Sequence, residues 1–340
     1  MQVVESWIER GVSALADAPS ILFDPAQRVY WPFLVTSILV AAAVARLARK
    51  QDPSSADAPS ITSKRLWLHP SSLVDLKLIA AKAVIRALIF APLLVSALTI
   101  AAFVFDKLTL RLGPAEPTAL ARWQVMALYT VTLFLAWDAS RYALHRLVHR
   151  VPFLWELHKV HHSAEVLTPF TNYRTHPVES FLYALRGAAV TGVVTGAFFY
   201  KFQAETIQYE IIGVNAIGLV FSAAVANLRH SHVWIGYGKF LEHFLISPAQ
   251  HQLHHSLDSK DFGTNYGSFL AVWDWFFSTL RLAGPRRNIR VGIPKSDLNH
   301  DPANALSCLI SPVASSLSTI IPKPPSPPVA ATPPKPVSSQ

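Results

Sequence analysis

Ten of the 14 histidines of this 340-residue chain fall into four short stretches. His145 and His149 are spaced i, i+4 in HRLVH, and His158, His161 and His162 make up HKVHH. His230 and His232 lie in LRHSH, and His251, His254 and His255 make up HQLHH. Side chains three and four apart share a helix face, so each triplet is expected to present three imidazoles in one direction. Imidazole nitrogen binds iron, zinc, copper and nickel. His145, His149, the two triplets and His230 give nine rings, too many for one four-coordinate ion and suited to two ions with open positions. Metals held by imidazole without carboxylate can activate dioxygen once reduced, with the protein supplying orientation and exclusion of water.

The elements that must carry these rings are apolar. Charged residues (Asp, Glu, Lys, Arg) are 15% of the chain and hydrophobic ones 51%, against about 25% charged in an average soluble domain. Whole-chain disorder, collagen-like, coiled-coil and disulfide-stapled classes are excluded, since Gly is 13 and Cys308 is the single cysteine. Five stretches approach the ~20 residues that cross a bilayer: Trp31 to Ala48, Ala87 to Phe105, Trp123 to Tyr142, Phe181 to Tyr200 and Ile207 to Ala226. The last two read as a helical hairpin. Basic residues gather between the first two stretches (Arg46, Arg49, Lys50, Lys64, Arg65, Lys77), after the third and after the fifth. With the N-terminus outside, every strongly basic segment, and with it the histidines, falls on the cytoplasmic side. The net charge of +9 therefore reads as membrane-surface charge, with no nucleic-acid partner. Residues 1–20 carry Glu5, Glu9 and Asp17 and no clean apolar run, so no cleaved signal is expected. Residues 51–63 read as a polar linker, and 312–340, with nine prolines, as a disordered tail.

Together these motifs resemble the sterol desaturase and fatty acid hydroxylase superfamily of histidine-rich membrane enzymes. The resemblance is carried by H145RLVH149, H158KVHH162 and H251QLHH255. It is supported by WDxxxYxxHR (Asp138, Tyr142, His145, Arg146), RTHPVE (Arg174 to Glu179), LRHSH, and NYG…WDWFFSTL from Asn265 to Leu280. Two departures stand out: no histidine shortly precedes NYG, and Ser278 stands where the family usually has glycine. The resemblance implies an all-α fold, an integral membrane helical bundle of about five spans with a cytoplasmic histidine-rich helical cap. It divides the chain into an N-terminal segment (1–64), a hydroxylase/desaturase-like membrane domain (65–285) and a C-terminal extension (286–340). It implies two iron ions, for which zinc can substitute in purified protein, held by His145, His149, His158, His161, His162, His230, His251, His254 and His255. No further catalytic residue is expected beyond these ligands. The implied reaction is hydroxylation or desaturation of a lipid (sterol, fatty acyl or related) by dioxygen.

Four further residues are candidates for ligating metal or orienting its ligands. His232 shares LRHSH, and Asn227 sits one turn before His230, where it can instead cap the fifth span. Asp138 lies two turns before His145 on the same face and is a candidate orienting carboxylate. His176 precedes Pro177 and marks a turn into the fourth span. Asp274 is expected to anchor a turn. Two other readings stand beside the oxidative one: a histidine-rich zinc-dependent membrane hydrolase, for which the usual HExxH is lacking, and a metal-binding transporter, which would need polar spans. No GxGxxG or cysteine cluster is present, so electrons are expected from a separate cytochrome or ferredoxin-type reductase system docking near Arg141, Arg146 and Arg150.

Overall fold

The structure is a computed structural model describing residues 9, 12–51, 63–203, 206, 209–211 and 214–320. Most of the linker at 51–63 and residues 321–340 of the tail lie outside these. The regular elements of the described residues are helical apart from one short antiparallel pair, Glu210–Ile211 with Val214–Asn215.

Seven helices position the site: α1 (Trp31–Gln51), α2 (Pro70–Ile85), α3 (Ala97–Leu112), α4 (Arg122–Arg150), α5 (Pro152–His162), α6 (Pro177–Phe202) and α7 (Pro248–His254), followed by α8 (Ala305–Ile320). Helices α3 and α6 pack most extensively, and glycines set their spacing. A Cβ on Gly192 would lie 2.5 Å from the Ile100 Cβ, and one on Gly196 2.5 Å from the Ala101 carbonyl oxygen. A small-residue face one turn long thus lets two apolar helices approach without a polar interface.

Two of the five apolar stretches are not single helices. Ala87 to Phe105 is divided: wide and tight helical turns over Arg86–Phe90 and Ala91–Leu93 give way to extended backbone before α3 starts at Ala97. Pro92 has no N–H to continue the ladder, and the Ser96 side chain accepts from Thr99 N, capping α3. Ile207 to Ala226 is likewise divided among the strand pair, a helix at Ala216–Phe221 and a widened turn at Ser222–Ala226. Asn215 caps that helix by accepting from Ile217 N and Gly218 N. The expected hairpin of two unbroken helices therefore does not form. Among the described residues, one helix, Pro177–Phe202, is long and apolar enough to cross a membrane.

The stretch after residue 285 is tied into the molecule. Helix α8 continues through Pro312 to Ile320, so residues 312–320, expected as the start of the tail, are helical. Its Cys308, Ala305 and Leu309 pack with Val74, Leu78 and Val160, behind the histidine-bearing α5. Ser316 Oγ donates to the Phe153 carbonyl at 2.7 Å.

Candidate metal centre

Helix geometry divides the triplets instead of aiming them one way. At about 100° per residue, positions i and i+4 differ by about 40°, while i+3 lies about 60° to the other side of i. In HKVHH, His158 and His162 turn toward one cluster and His161 toward another. In HQLHH, His251 and His255 pair, and His254 crosses over. The first cluster is His145, His149, His158, His162 and His254, and the second is His161, His230, His251 and His255. Within each, one ring nitrogen per residue lies within 4.8 Å of all the others. The adjacent pairs His161/His162 and His254/His255 have ring planes 89° apart, and the two members of each pair serve different clusters. The clusters adjoin, with the His162 and His255 rings stacked at 4.4 Å.

All nine rings anticipated from the motifs thus come together. Helix α4 supplies His145 and His149, α5 the first triplet, α7 and its C-cap the second. His230 ends a single tight turn, Leu228–His230, that follows the widened one. Helix α5 starts at Pro152, which supplies the fixed φ favoured at a first helical position. Helix α7 is held by a capping box in which Ser247 Oγ accepts from Gln250 N and Gln250 Oε1 from Ser247 N.

Outer contacts fix several rings. The Nδ1 of His145 lies 2.8 Å from the Tyr266 carbonyl, that of His254 2.8 Å from the Thr264 carbonyl, and that of His161 3.2 Å from the Arg174 carbonyl. The His158 Nδ1 is 2.8 Å from Glu179 Oε1, both side chains being buried. Acceptors at Nδ1 place the proton there and leave each Nε2 lone pair facing the cluster. The Nε2 atoms of His158 and His254 are buried without a partner, as are both ring nitrogens of His255. Other inward nitrogens approach in pairs: His149/His162 at 3.2 Å, His161/His230 at 3.3 Å and His230/His251 at 3.0 Å. Two nitrogens each ~2.1 Å from one ion and at right angles stand about 3.0 Å apart. Burial, then repulsion among the rings, pushes His145, His149, His161, His162 and His255 well below the usual imidazole range, and burial takes His254 to about 3. Neutral rings with orphaned, converging lone pairs fit transition-metal ions.

The other candidates do different work. Asp138 touches no histidine. Its Oδ1 accepts from Phe269 N, and its Oδ2 from Leu270 N and Trp273 Nε1, so it anchors the segment that presents the Tyr266 carbonyl to His145. Asp274 completes that anchor, accepting from Tyr266 N, Gly267 N and Thr279 Oγ1, as expected of a turn-holding carboxylate. A Cβ at Gly267 would meet Asp274 Oδ2 at 2.8 Å and the Leu270 carbonyl at 2.6 Å, which explains the glycine of NYG. Ser278 has φ of 58°, the left-handed region where glycine is favoured, so a serine carries strain at this position. His176 caps α6, its Nδ1 accepting from Val178 N while Nε2 donates to the Leu309 carbonyl. Asn227 donates to the Arg28 carbonyl at 2.6 Å and makes no side-chain cap. His232 is half-buried and belongs to neither cluster.

Glu179 and the Tyr266, Thr264 and Arg174 carbonyls were not assigned roles from the sequence. Glu179 stands in RTHPVE, on the first turn of α6 and 21 residues from the ring it holds. Arg141, expected on a docking face, instead lines a cavity of about 1080 Å³ together with His145, His158, His161, His230 and His251.

A family model described as fatty acid hydroxylase matches residues 130–279, the segment holding both clusters. The human alkylglycerol monooxygenase is 29% identical over 146 residues, 43% of this chain and 29% of that protein. A very-long-chain aldehyde decarbonylase of Oryza sativa is 24% identical over 226 residues, 64% of this chain and 77% of its own. A Delta(7)-sterol 5(6)-desaturase of Gibberella zeae is 28% identical over 163 residues, 48% of this chain and 45% of its own. The chain spans about three-tenths of the length of the alkylglycerol monooxygenases it matches. No solved structure matches it. The histidine core at residues 130–279 is thus similar to the fatty acid hydroxylases.

Proposed function

We propose that this chain is an integral membrane oxidoreductase that uses dioxygen and two iron ions to hydroxylate or desaturate a lipid. The observation that carries the reading is the pair of buried imidazole clusters opening onto one large cavity. His145, His149, His158, His162 and His254 would hold one ion, and His161, His230, His251 and His255 the other. Iron bound there supplies reductive activation of dioxygen and attack on a C–H bond. The chain's own residues bury the rings, accept the Nδ1–H protons of His158 at Glu179 and of His145, His161 and His254 at backbone carbonyls, and exclude bulk water. The matched relatives, named for monooxygenation, desaturation and decarbonylation, support a lipid substrate and leave the outcome at the carbon open.

A multi-pass membrane placement, with the metal site on the cytoplasmic side, rests on the basic loops together with α6 and the apolar side chains left exposed on α1 and α3, such as Leu39, Leu98, Phe103 and Leu110. The electron donor is a separate cytochrome or ferredoxin-type system, and Arg146 and Arg150 remain as its docking charges. Zinc-dependent hydrolysis is the competing reading, because imidazole also suits zinc.

The test is lipid-dependent dioxygen uptake by iron-loaded, full-length protein with a chemical reductant, followed by mass analysis of the lipid. A gain of one oxygen or a loss of two hydrogens supports the reading. Lipid cleavage by the zinc form without dioxygen uptake overturns it.

A further inference from the structure

The cavity that receives five histidines also receives a cluster of arginines that the metal chemistry does not use. Arg28, Arg141 and Arg229 all line it, and all three gather at Ser268–Phe269. Arg141 Nε donates to Ser268 Oγ at 2.8 Å, and Arg229 Nη1 donates to the Ser268 carbonyl. The Arg28 and Arg229 guanidinium carbons lie 5.8 and 5.5 Å from the centroid of the same Phe269 ring. Arg229 is 2% exposed, and it precedes the cluster residue His230 in the chain.

Among the described residues, no carboxylate forms an ion pair with any of the three. Asp138 is the nearby carboxylate, and both its oxygens are taken by Phe269 N, Leu270 N and Trp273 Nε1. Arg28 spends Nη1 on Asn172 Oδ1. Arg28 Nη2 and the Nε and Nη2 of Arg229 are buried without a partner. A guanidinium stays charged across the physiological pH range. Buried guanidinium donors left unpaired are expensive, and carboxylate or phosphate oxygens match their fork. The other carboxylates lining the cavity do not fill the role, since Glu179 holds His158 through Oε1 and Glu9 and Asp17 lie exposed.

The cavity also has apolar lining at Ile79, Ala83, Ala87, Phe90, Leu94 and Phe181, with Lys82 and Arg86 among them, and Phe90 stacks on Phe181 at 4.6 Å. At about 1080 Å³ the space is at the upper end of small-molecule sites, roughly 300–1,000 Å³. Resting on the lipid-oxidation reading, we infer that the substrate is an amphiphile with an anionic head, a carboxylate or phosphate monoester, held by Arg28, Arg141 and Arg229 with its chain along the apolar wall. Because the arginines adjoin the clusters, oxidation falls on a carbon near the head. The site therefore selects against neutral lipids with the same chain.

The test is competition against a fluorescent long-chain carboxylate bound to full-length protein in detergent. Competitors are oleate, octadecyl phosphate, oleyl alcohol, acetate and inorganic phosphate. Oleate or octadecyl phosphate is expected to bind at least about tenfold more tightly than oleyl alcohol, the size of one charge-assisted hydrogen bond. That preference is expected to collapse in Arg28→Gln and Arg229→Met and to persist in Arg28→Lys. Should Arg229→Met fail to fold, Arg28→Gln and the wild-type competition decide. Equal binding of oleyl alcohol, a preference surviving both substitutions, or equal displacement by acetate or phosphate overturns the inference. Iron-loaded protein that oxidises a neutral lipid equally well in the arginine variants overturns the inference alone. An anion preference without dioxygen uptake for any lipid overturns the oxidative reading and leaves the anion site standing.

Discussion

The two imidazole clusters are built from the same pair of HxxHH motifs, yet they are braced differently. In the five-ring cluster three Nδ1 atoms have outer partners: the Tyr266 and Thr264 carbonyls and the Glu179 carboxylate. In the four-ring cluster His161 has the Arg174 carbonyl, while the Nδ1 atoms of His230 and His251 and both nitrogens of His255 are buried without a partner. The first cluster is set by the protein, whereas the second gains most of its order from whatever its lone pairs bind. Pre-organisation of this kind raises affinity by lowering the ordering cost. The five-ring site should load first and release last.

The largest effects come from removing rings. His162→Ala and His251→Ala should each reduce lipid-dependent dioxygen uptake by more than about 100-fold, the upper end for residues that merely orient ligands. Near-wild-type turnover in either would break the pairing of the clusters. Glu179→Gln sharpens the comparison. Metal affinity at the five-ring site should fall by about 10- to 100-fold, with the second site unmoved, read as one displaced step in a two-step iron titration. A shift of both steps would mean the clusters do not load independently.

Smaller effects test the scaffold. Asp138→Asn weakens three bonds to the segment that carries the Tyr266 carbonyl. It should cost about 1.5–3 kcal/mol of stability, the range for hydrogen bonds to a charged group, read by thermal unfolding in detergent. Acid should weaken the metal-free protein. An unfolded imidazole titrates near 6.5, whereas burial holds His254 at about 3 and His300 at about 4. Between those values and 6.5 the unfolded chain takes protons that the folded chain refuses. Stability is therefore full above pH 6.5 and falls as the pH drops toward 4. A melting temperature that stays level from pH 7 to pH 5 would contradict that burial.

The nine rings were legible because helical spacing and residue type were both in the sequence. The split of each triplet was legible in principle too, since it follows from the angle between i+3 and i+4. Glu179 was hidden, because a turn and the start of α6 separate it from His158, and no periodicity spans such a gap. Asp138 was misassigned for a related reason. Sharing a helix face with His145 says where a side chain stands but not which loop folds over it, and here residues 265–273 take both oxygens. The breaks at Pro92 and Asn215 carried local signals, a missing N–H and a cap, that uniform apolarity masked. The helical residues 312–320 were read as tail because Pro312 outweighed the apolar packing of α8 on α5.

The central claim is that the two clusters hold one ion each. Iron per chain, measured after anaerobic loading of full-length protein, tests it directly. The account predicts about two irons in the wild type, and about one in each of His158→Ala and His251→Ala, with the loss falling at different steps of the titration. One iron in the wild type, or complete loss of iron in both variants with the fold intact, would contradict it.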